Sequence, residues 1–391
     1  MKWLLTIGVA AALASAAGIA SADTVKVGMI MSASGGFSRW GEQTMGAVRI
    51  YQAQHGKSVN DNDIEVLLRD DGGPDPTRAK QLAEELILRD QVQFLAGFAF
   101  TPNALAVADL ITEAKIPTII TNAATGIITT KSPYFVRVSF TLPQASAPLG
   151  QWAAKNGIKT ADTVVADYAP GVDGETYFIK AFKAGGGQIV ESIRVPLNVT
   201  DFAPFYERVL QDKPQAVFIF GPGGPNSLAM VQDWSKRLRP AGIQLLATGE
   251  MQQIDMPRMG DAAIGVVSAY HYTETADNPL NKALWAAWRK DHADKDSVPD
   301  IASVAAYDAM ELIYRAVAKF GPHVTGDQAI EYWKGMKIDS PRGSFTIDPA
   351  TRDIVQNIYL RRVEKRDGVL VNVDFDVVKN VKDPWKEDHP Q

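Results

Sequence analysis

Residues 95–125 read LAGFAFTPNALAVADLITEAKIPTIITNAAT. The apolar run from Val92 to Ala96 ends at Gly97, and Thr101-Pro102 opens a helix with a hydroxyl at the N-cap and proline at the first helical position. The helix is expected to run to about Ala114. Pro117 to Thr121 then reads as the next parallel strand and ends in the polar loop Asn122-Ala123-Ala124-Thr125. Two strand-end loops are thereby placed side by side. In open α/β sheets such crevices hold the ligand, and free amides with a hydroxyl at a helix start suit a small carboxylate. The plainer alternative is that Thr101 and Thr125 only cap helices.

Working outward, the same alternation recurs. Val25 to Met31 is a strand, Ser32 to Gly36 a turn, and Arg39 to Gln54 a helix. Ile64 to Leu68 is the second strand, and Asp75-Pro76 starts a helix with Ala79, Leu82, Ala83, Leu86 and Ile87 on one face. Tyr134 to Val138 gives one more strand. A second series begins with the strand Thr163 to Ala166 and a helix from about Asp173 to Ala184, stopped by Gly185-Gly186-Gly187. Strands follow at Gln188 to Val195, Ala216 to Phe220, Gln244 to Ala247 and Gly265 to Tyr272, with helices at Asp201 to Asp212 and Gly224 to Leu238. Leu280 to His292 and Ile301 to Phe320 are amphipathic helices, and the tail from Ser344 carries the strand patterns FTI and VQNIYLRRV. The fold class is α/β, with two doubly wound lobes on parallel central sheets. If the late elements return to both lobes, the chain crosses near Thr141, Thr273 and Pro341, a three-crossing hinge. The expected division is residues 23–141 plus 274–342 for the first lobe and 142–273 plus 343–391 for the second.

Composition narrows the function classes. In 391 residues, 46% are apolar and 22% charged, as in ordinary globular chains. Lys2, the apolar run Leu4 to Leu13 and Ala20-Ser21-Ala22 before Asp23 read as a cleavable signal peptide over residues 1–22. A periplasmic, soluble protein is expected. No cysteine occurs, so there is no disulfide, no thiolate chemistry and no cysteine-linked lipid anchor. A formal charge of −5 without a basic stripe argues against nucleic acid. His55, His271, His292, His323 and His389 lack metal-ligand spacing, so neither metal nor cofactor is expected. There is no G-x-S-x-G and no H-E-x-x-H, which leaves an exported hydrolase weakly supported. Tyr168 and Tyr272 follow strand runs and could face the cleft or pack at a lobe edge.

Four stretches, VKVGMIMSASGGFSRWGEQTMGAVR, residues 95–125, ADYAPGVDGETYFIKAFKAGGGQIVE and VAAYDAMELIYRAV, resemble the type I periplasmic solute-binding proteins of ABC transporters, in the leucine/isoleucine/valine-binding branch. The resemblance spans essentially the whole mature chain. It implies a monomer whose lobes close on a ligand, delivered to an inner-membrane ABC permease. It places Thr101 on the ligand carboxylate, with Ala123 offering backbone groups and Thr125 a hydroxyl. Trp40 becomes an apolar wall, Tyr168 belongs to the first loop of the second lobe, and Glu250 is the partner of an amino acid's ammonium. Two departures matter. Proline stands in Tyr168-Ala169-Pro170-Gly171 where relatives often place tyrosine before glycine, and Gly221-Pro222-Gly223-Gly224 lacks a tyrosine some relatives present. A flat ring could fill that room, so the ligand is either a hydrophobic or branched-chain amino acid or an aromatic carboxylic acid. A buried Glu250 facing an anion without an amine would be costly. A ligand-dependent sensor of the same fold is the remaining alternative.

Overall fold

The computed structural model describes residues 23–294 and 297–390. The signal-peptide segment lies outside them. The first lobe runs β1 (Thr24–Met31), α1 (Ser38–His55), β2 (Ser58–Val59), β3 (Asn62–Asp70), α2 (Pro76–Glu84), β4 (Phe94–Gly97), α3 (Thr101–Ala106), α4 (Ala108–Ala114), β5 (Thr118–Ile120) and β6 (Phe135–Arg137). The second continues with α5 (Leu142–Lys155), β7 (Thr160–Ala166), α6 (Ala169–Ala184), β8 (Gln188–Val195), α7 (Ala203–Asp212), β9 (Ala216–Phe220), α8 (Gly224–Arg237), β10 (Gln244–Ala247), α9 (Met256–Met259) and β11 (Val267–Tyr270). Then come α10 (Pro279–Asp291), α11 (Ile301–Phe320), α12 (Gly326–Trp333), β12 (Lys337–Ile338), β13 (Phe345–Ile347), β14 (Ile354–Arg366), β15 (Val369–Val381) and α13 (Pro384–Asp388).

The first sheet has the order β2-β3-β1-β4-β5-β6, parallel except for the short β2. The second is parallel through β8-β7-β9-β10-β11 and antiparallel where β14 joins β11 and where β13 and β15 join β14. Parallel strands covered on both faces read as unbroken apolar runs, and β9 is such a strand. Ala216, Phe218 and Phe220 point into the core that runs through the hinge, whereas Val217 and Ile219 point into a separate cluster on the opposite face. The late helices go back to the start of the chain: α10 and α11 pack against α1.

Several boundaries move. Thr101 is not the N-cap; Phe100 holds that extended position, and Thr101-Pro102 form the first turn, where proline's missing N–H costs nothing. The expected helix to Ala114 breaks at Val107 into α3 and α4. Helix α6 starts at Ala169, four residues before Asp173, because Pro170 is preset for a first turn and Gly171 lies against the Ala166 carbonyl, where a Cβ would collide. The second sheet is parallel only from its β8 edge to β11, since the tail returns as a long hairpin, β14 and β15, on the other side.

One guanidinium locks the crossing region. Arg342 directs Nε and Nη2 to Asp308 on α11, Nη1 to Ser139 O at 3.0 Å and Gln356 Oε1 at 3.1 Å, and Nη2 also to Val138 O. Both charged side chains are buried. All five donors are thus engaged, across the end of β6, α11 and β14. Removing one partner of a buried pair strands the other charge at a cost of about 3–5 kcal/mol. Arg342→Met is therefore expected to lower denaturant stability by that order, and Arg342→Lys, with three donors and no planar fork, to recover little of it; a midpoint unchanged in urea would refute the assignment.

Candidate ligand cleft between the lobes

The two first-lobe loops are zipped together at the ends of β4 and β5. Ala123 N donates to Phe98 O at 2.9 Å, Asn122 Nδ2 donates to Ala99 O at 2.8 Å, and the Thr101 and Thr125 hydroxyls lie 3.0 Å apart. Phe98 holds a left-handed backbone, φ 66°, rare for a bulky residue. Its amide donates to Ile30 O at 2.7 Å, so that turn is pinned to β1 as well as to Ala123.

Beside these loops a cleft opens between the lobes, at the strand ends where ligands of open α/β sheets are held. From the first lobe and the crossing come Trp40, Phe100, Thr101, Asn122 and Phe140; from the second, Tyr168, Phe220, Gly221, Pro222, Gln252 and Tyr270. Six aromatic rings line it, and no charged side chain does, among the described residues. Tyr168 stacks on Phe220, with ring centroids 6.0 Å apart and planes inclined by 19°. Tyr270 meets Phe140 edge-on at 4.8 Å. Desolvation, with a smaller contribution from the Glu250 charge, raises the Tyr168 phenol above its usual range, so it stays a neutral donor.

The residues expected at the site divide. Trp40, Thr101 and Tyr168 line the cleft. Thr125 stands behind Thr101; Ala123 is buried and its neighbours Asn122 and Ala124 line the wall instead, and its amide is not free for a ligand because it donates to Phe98 O. Glu250 is buried and does not line the cleft. Its Oε1 accepts Gly221 N at 2.6 Å and its Oε2 accepts Thr248 N at 2.9 Å, so it staples the ends of β9 and β10 together beneath the wall. Tyr272 also turns away: its hydroxyl donates to Asn281 at 2.9 Å and accepts from Trp285 Nε1 at 3.2 Å. Phe140, Phe220, Gln252 and Tyr270 were not singled out from the sequence, although Phe220 and Tyr270 are the last residues of their strands, the signal that marked Tyr168.

A second, polar chamber adjoins the cleft and shares Trp40 and Gln252 with it. Across it the first lobe grips one residue of the second. Arg39 Nη1 donates to Ile254 O at 2.6 Å, and Ile254 N donates to Asp300 Oδ2 at 3.3 Å.

A model of the periplasmic binding protein family matches residues 24–368. The chain belongs to that family. The Leu/Ile/Val-binding protein homolog 6 of Brucella melitensis biotype 1 is 41% identical over 372 residues, 94% of this chain and 95% of the relative. Two solved structures are ABC-transporter solute-binding proteins of Rhodopseudomonas palustris. The HaA2 protein, in complex with p-hydroxybenzoic acid, is 43% identical with a TM-score of 0.90, over 92% of this chain and 98% of that one. The BisB5 protein, in complex with 3,4-dihydroxybenzoic acid, is 46% identical with a TM-score of 0.88, over 93% and 99%. No helix of the described residues is long and apolar enough to cross a membrane.

Burial lifts the Glu250 carboxyl from 4.5 to about 7 against the lowering effect of the amides it accepts. The folded protein then keeps this proton from about pH 4.5 to 7, where the unfolded chain has lost it, so stability from this group falls as pH rises through that window and is level above it. Glu250→Gln should flatten that segment of the profile in thermal unfolding from pH 4 to 8; a slope identical to wild type would remove Glu250 as its source.

Proposed function

We propose that the protein is the periplasmic solute-binding component of an ABC importer and that its ligand is a small aromatic carboxylic acid of the benzoate class. The observation that carries the ligand choice is the cleft wall: six rings, hydroxyl and amide groups, and no carboxylate facing in. An amino acid brings an ammonium that needs an anionic partner when desolvated, and the acid inherited for that role, Glu250, has both oxygens on backbone amides. A flat ring between aromatic walls needs no such partner and gains from stacking. The hydroxybenzoates held by the two R. palustris neighbours support the same class.

In this reading Thr101, supported by Thr125, and Asn122 hold the carboxylate on the first lobe, and Trp40 and Tyr168 face the ring. The lobes are residues 23–141 with 274–342 and 142–273 with 343–391, after removal of the signal peptide at residues 1–22. Closure adds second-lobe contacts to a ligand already seated on the first, and the shift in population equals the difference in affinity of the two states. Arg39 and Asp300, gripping Ile254, hold the closed arrangement from the rim. No bond is made or broken; the closed monomer presents the ligand to an inner-membrane permease.

Calorimetric titration of mature protein, stripped of co-purified ligand by unfolding and refolding, tests this. Benzoate and 4-hydroxybenzoate should bind, whereas leucine and phenylalanine should bind at least a hundredfold more weakly; the reverse order would overturn the ligand class. Thr101→Val, which keeps shape and removes the hydroxyl, should weaken benzoate binding about tenfold, the worth of a hydrogen bond to a charged group. An unchanged affinity would displace the carboxylate from Thr101.

A further inference from the structure

Gln252 is the one residue besides Trp40 that lines both the aromatic cleft and the polar chamber. It follows the β10 strand end by five residues, and its residue is largely buried, with 8% of its surface exposed. The residue is buried as a whole, yet its amide atoms stay accessible from the cavity rather than being sealed in the protein. The other amide of the cleft, Asn122, donates to Ala99 O. Gln252 has no side-chain hydrogen bond to any described residue; only its backbone carbonyl is engaged, by Asp255 N at 3.1 Å. Its neighbours are held firmly: Met251 O accepts from Arg361 and Asn372, and the Gln253 amide bonds to Leu370 O at 2.7 Å. The backbone under Gln252 is therefore fixed while its side chain is left open toward the cavity.

We infer that Gln252 is the specificity-determining residue of the cleft, reading a hydroxyl on the ring of the aromatic acid at a position remote from the carboxylate. A carboxamide offers an acceptor oxygen and donor hydrogens together. A carboxylate only accepts and would use half of that capacity, and an apolar ring edge would use none. A phenolic hydroxyl donates and accepts, so it satisfies the amide in full. The placement agrees: Gln252 belongs to the second lobe and Thr101 to the first, and Gln252 lies where the aromatic slot gives way to the polar chamber. A ring with its carboxylate at Thr101 presents its far substituents there. Tyr168 and Tyr270, whose hydroxyls have no hydrogen-bond partner among the described residues, line the cleft from the same lobe. Sites built to hydrogen-bond a substrate hydroxyl discriminate against analogues lacking it, because their own buried groups are then left unpaired.

This assignment rests on the aromatic-acid reading, and the test separates the two. Dissociation constants of wild type and Gln252→Met would be measured by calorimetry for benzoate, 2-hydroxybenzoate and 4-hydroxybenzoate. Wild type should prefer 4-hydroxybenzoate over benzoate, and in Gln252→Met that preference should shrink about tenfold. The ratio for 2-hydroxybenzoate, whose hydroxyl lies beside its own carboxylate, should not move. If the 4-hydroxy preference survives in the variant, or if the 2-hydroxy ratio shifts as much, Gln252 only packs and the assignment is overturned. If wild type binds none of the three acids, the aromatic-acid reading itself fails and takes this one with it. Should Gln252→Met not fold, Gln252→Asn, which keeps the amide but withdraws it by one methylene, is read by the same ratio and should lose most of the preference.

Discussion

The Arg342 guanidinium, buried where the chain passes between lobes, is the constraint on which the rest of the architecture depends. Its five donors hold α11 through Asp308, the end of β6 through two carbonyls, and β14 through Gln356. A second buried cation repeats the arrangement nearby: Arg137 pairs with Asp353 at 2.8 Å and donates to Phe140 O and Thr125 O. Asp353 also meets Lys386 at 3.1 Å. Buried ions earn their place when geometry matters more than raw stability. Here they fix the loops that follow β5 and β6, which carry Asn122 and Phe140 to the cleft and set Thr125 behind Thr101.

The site follows from that frame by local steps. Strand ends deliver side chains to one crevice, and the loops leaving β4 and β5 bond to each other before any ligand arrives. Glu250 performs the corresponding task in the second lobe by tying Gly221 to Thr248. An acidic residue that relatives by resemblance direct at an ammonium is here turned into the wall, and the adjoining glycine and proline residues leave space for a ring. Glu250 thus serves as scaffolding beneath the wall, and the surface that lines the cleft is aromatic and neutral.

Much of this was legible from residue order, and the reasons for the gaps are physical. β9, β10 and α11 read true because buried parallel strands and a long amphipathic helix write unambiguous periodicities. Helix α5 is hidden in the residue order by Pro143 and Pro148; Pro143 sits harmlessly in the first turn, and Pro148 is tolerated in a packed interior. β15 alternates valine with asparagine and aspartate, VLVNVDFDVVKNV, and what makes it a strand is its antiparallel partner β14 rather than its own pattern. Thr101 could be anticipated as a cleft residue because it opens a helix after a strand end, Tyr168 because it follows a strand run, and Trp40 only through the family resemblance. Gln252 could not, because nothing in a glutamine's neighbourhood along the chain reports that its amide lacks a partner.

The short C-terminal helix α13 reaches back across the molecule. Its Trp385 lies against Gly126, where any side chain would collide with the indole, and Gly126 follows Thr125 directly. The same helix is held from the second lobe, through Tyr177 and Lys180 to Asp388. Gly126 N in turn donates to Asp173 of α6 at 2.9 Å. The indole therefore occupies a joint that both lobes touch, one residue along the chain from Thr125, so the seating of α13 and the position of that loop are mechanically tied.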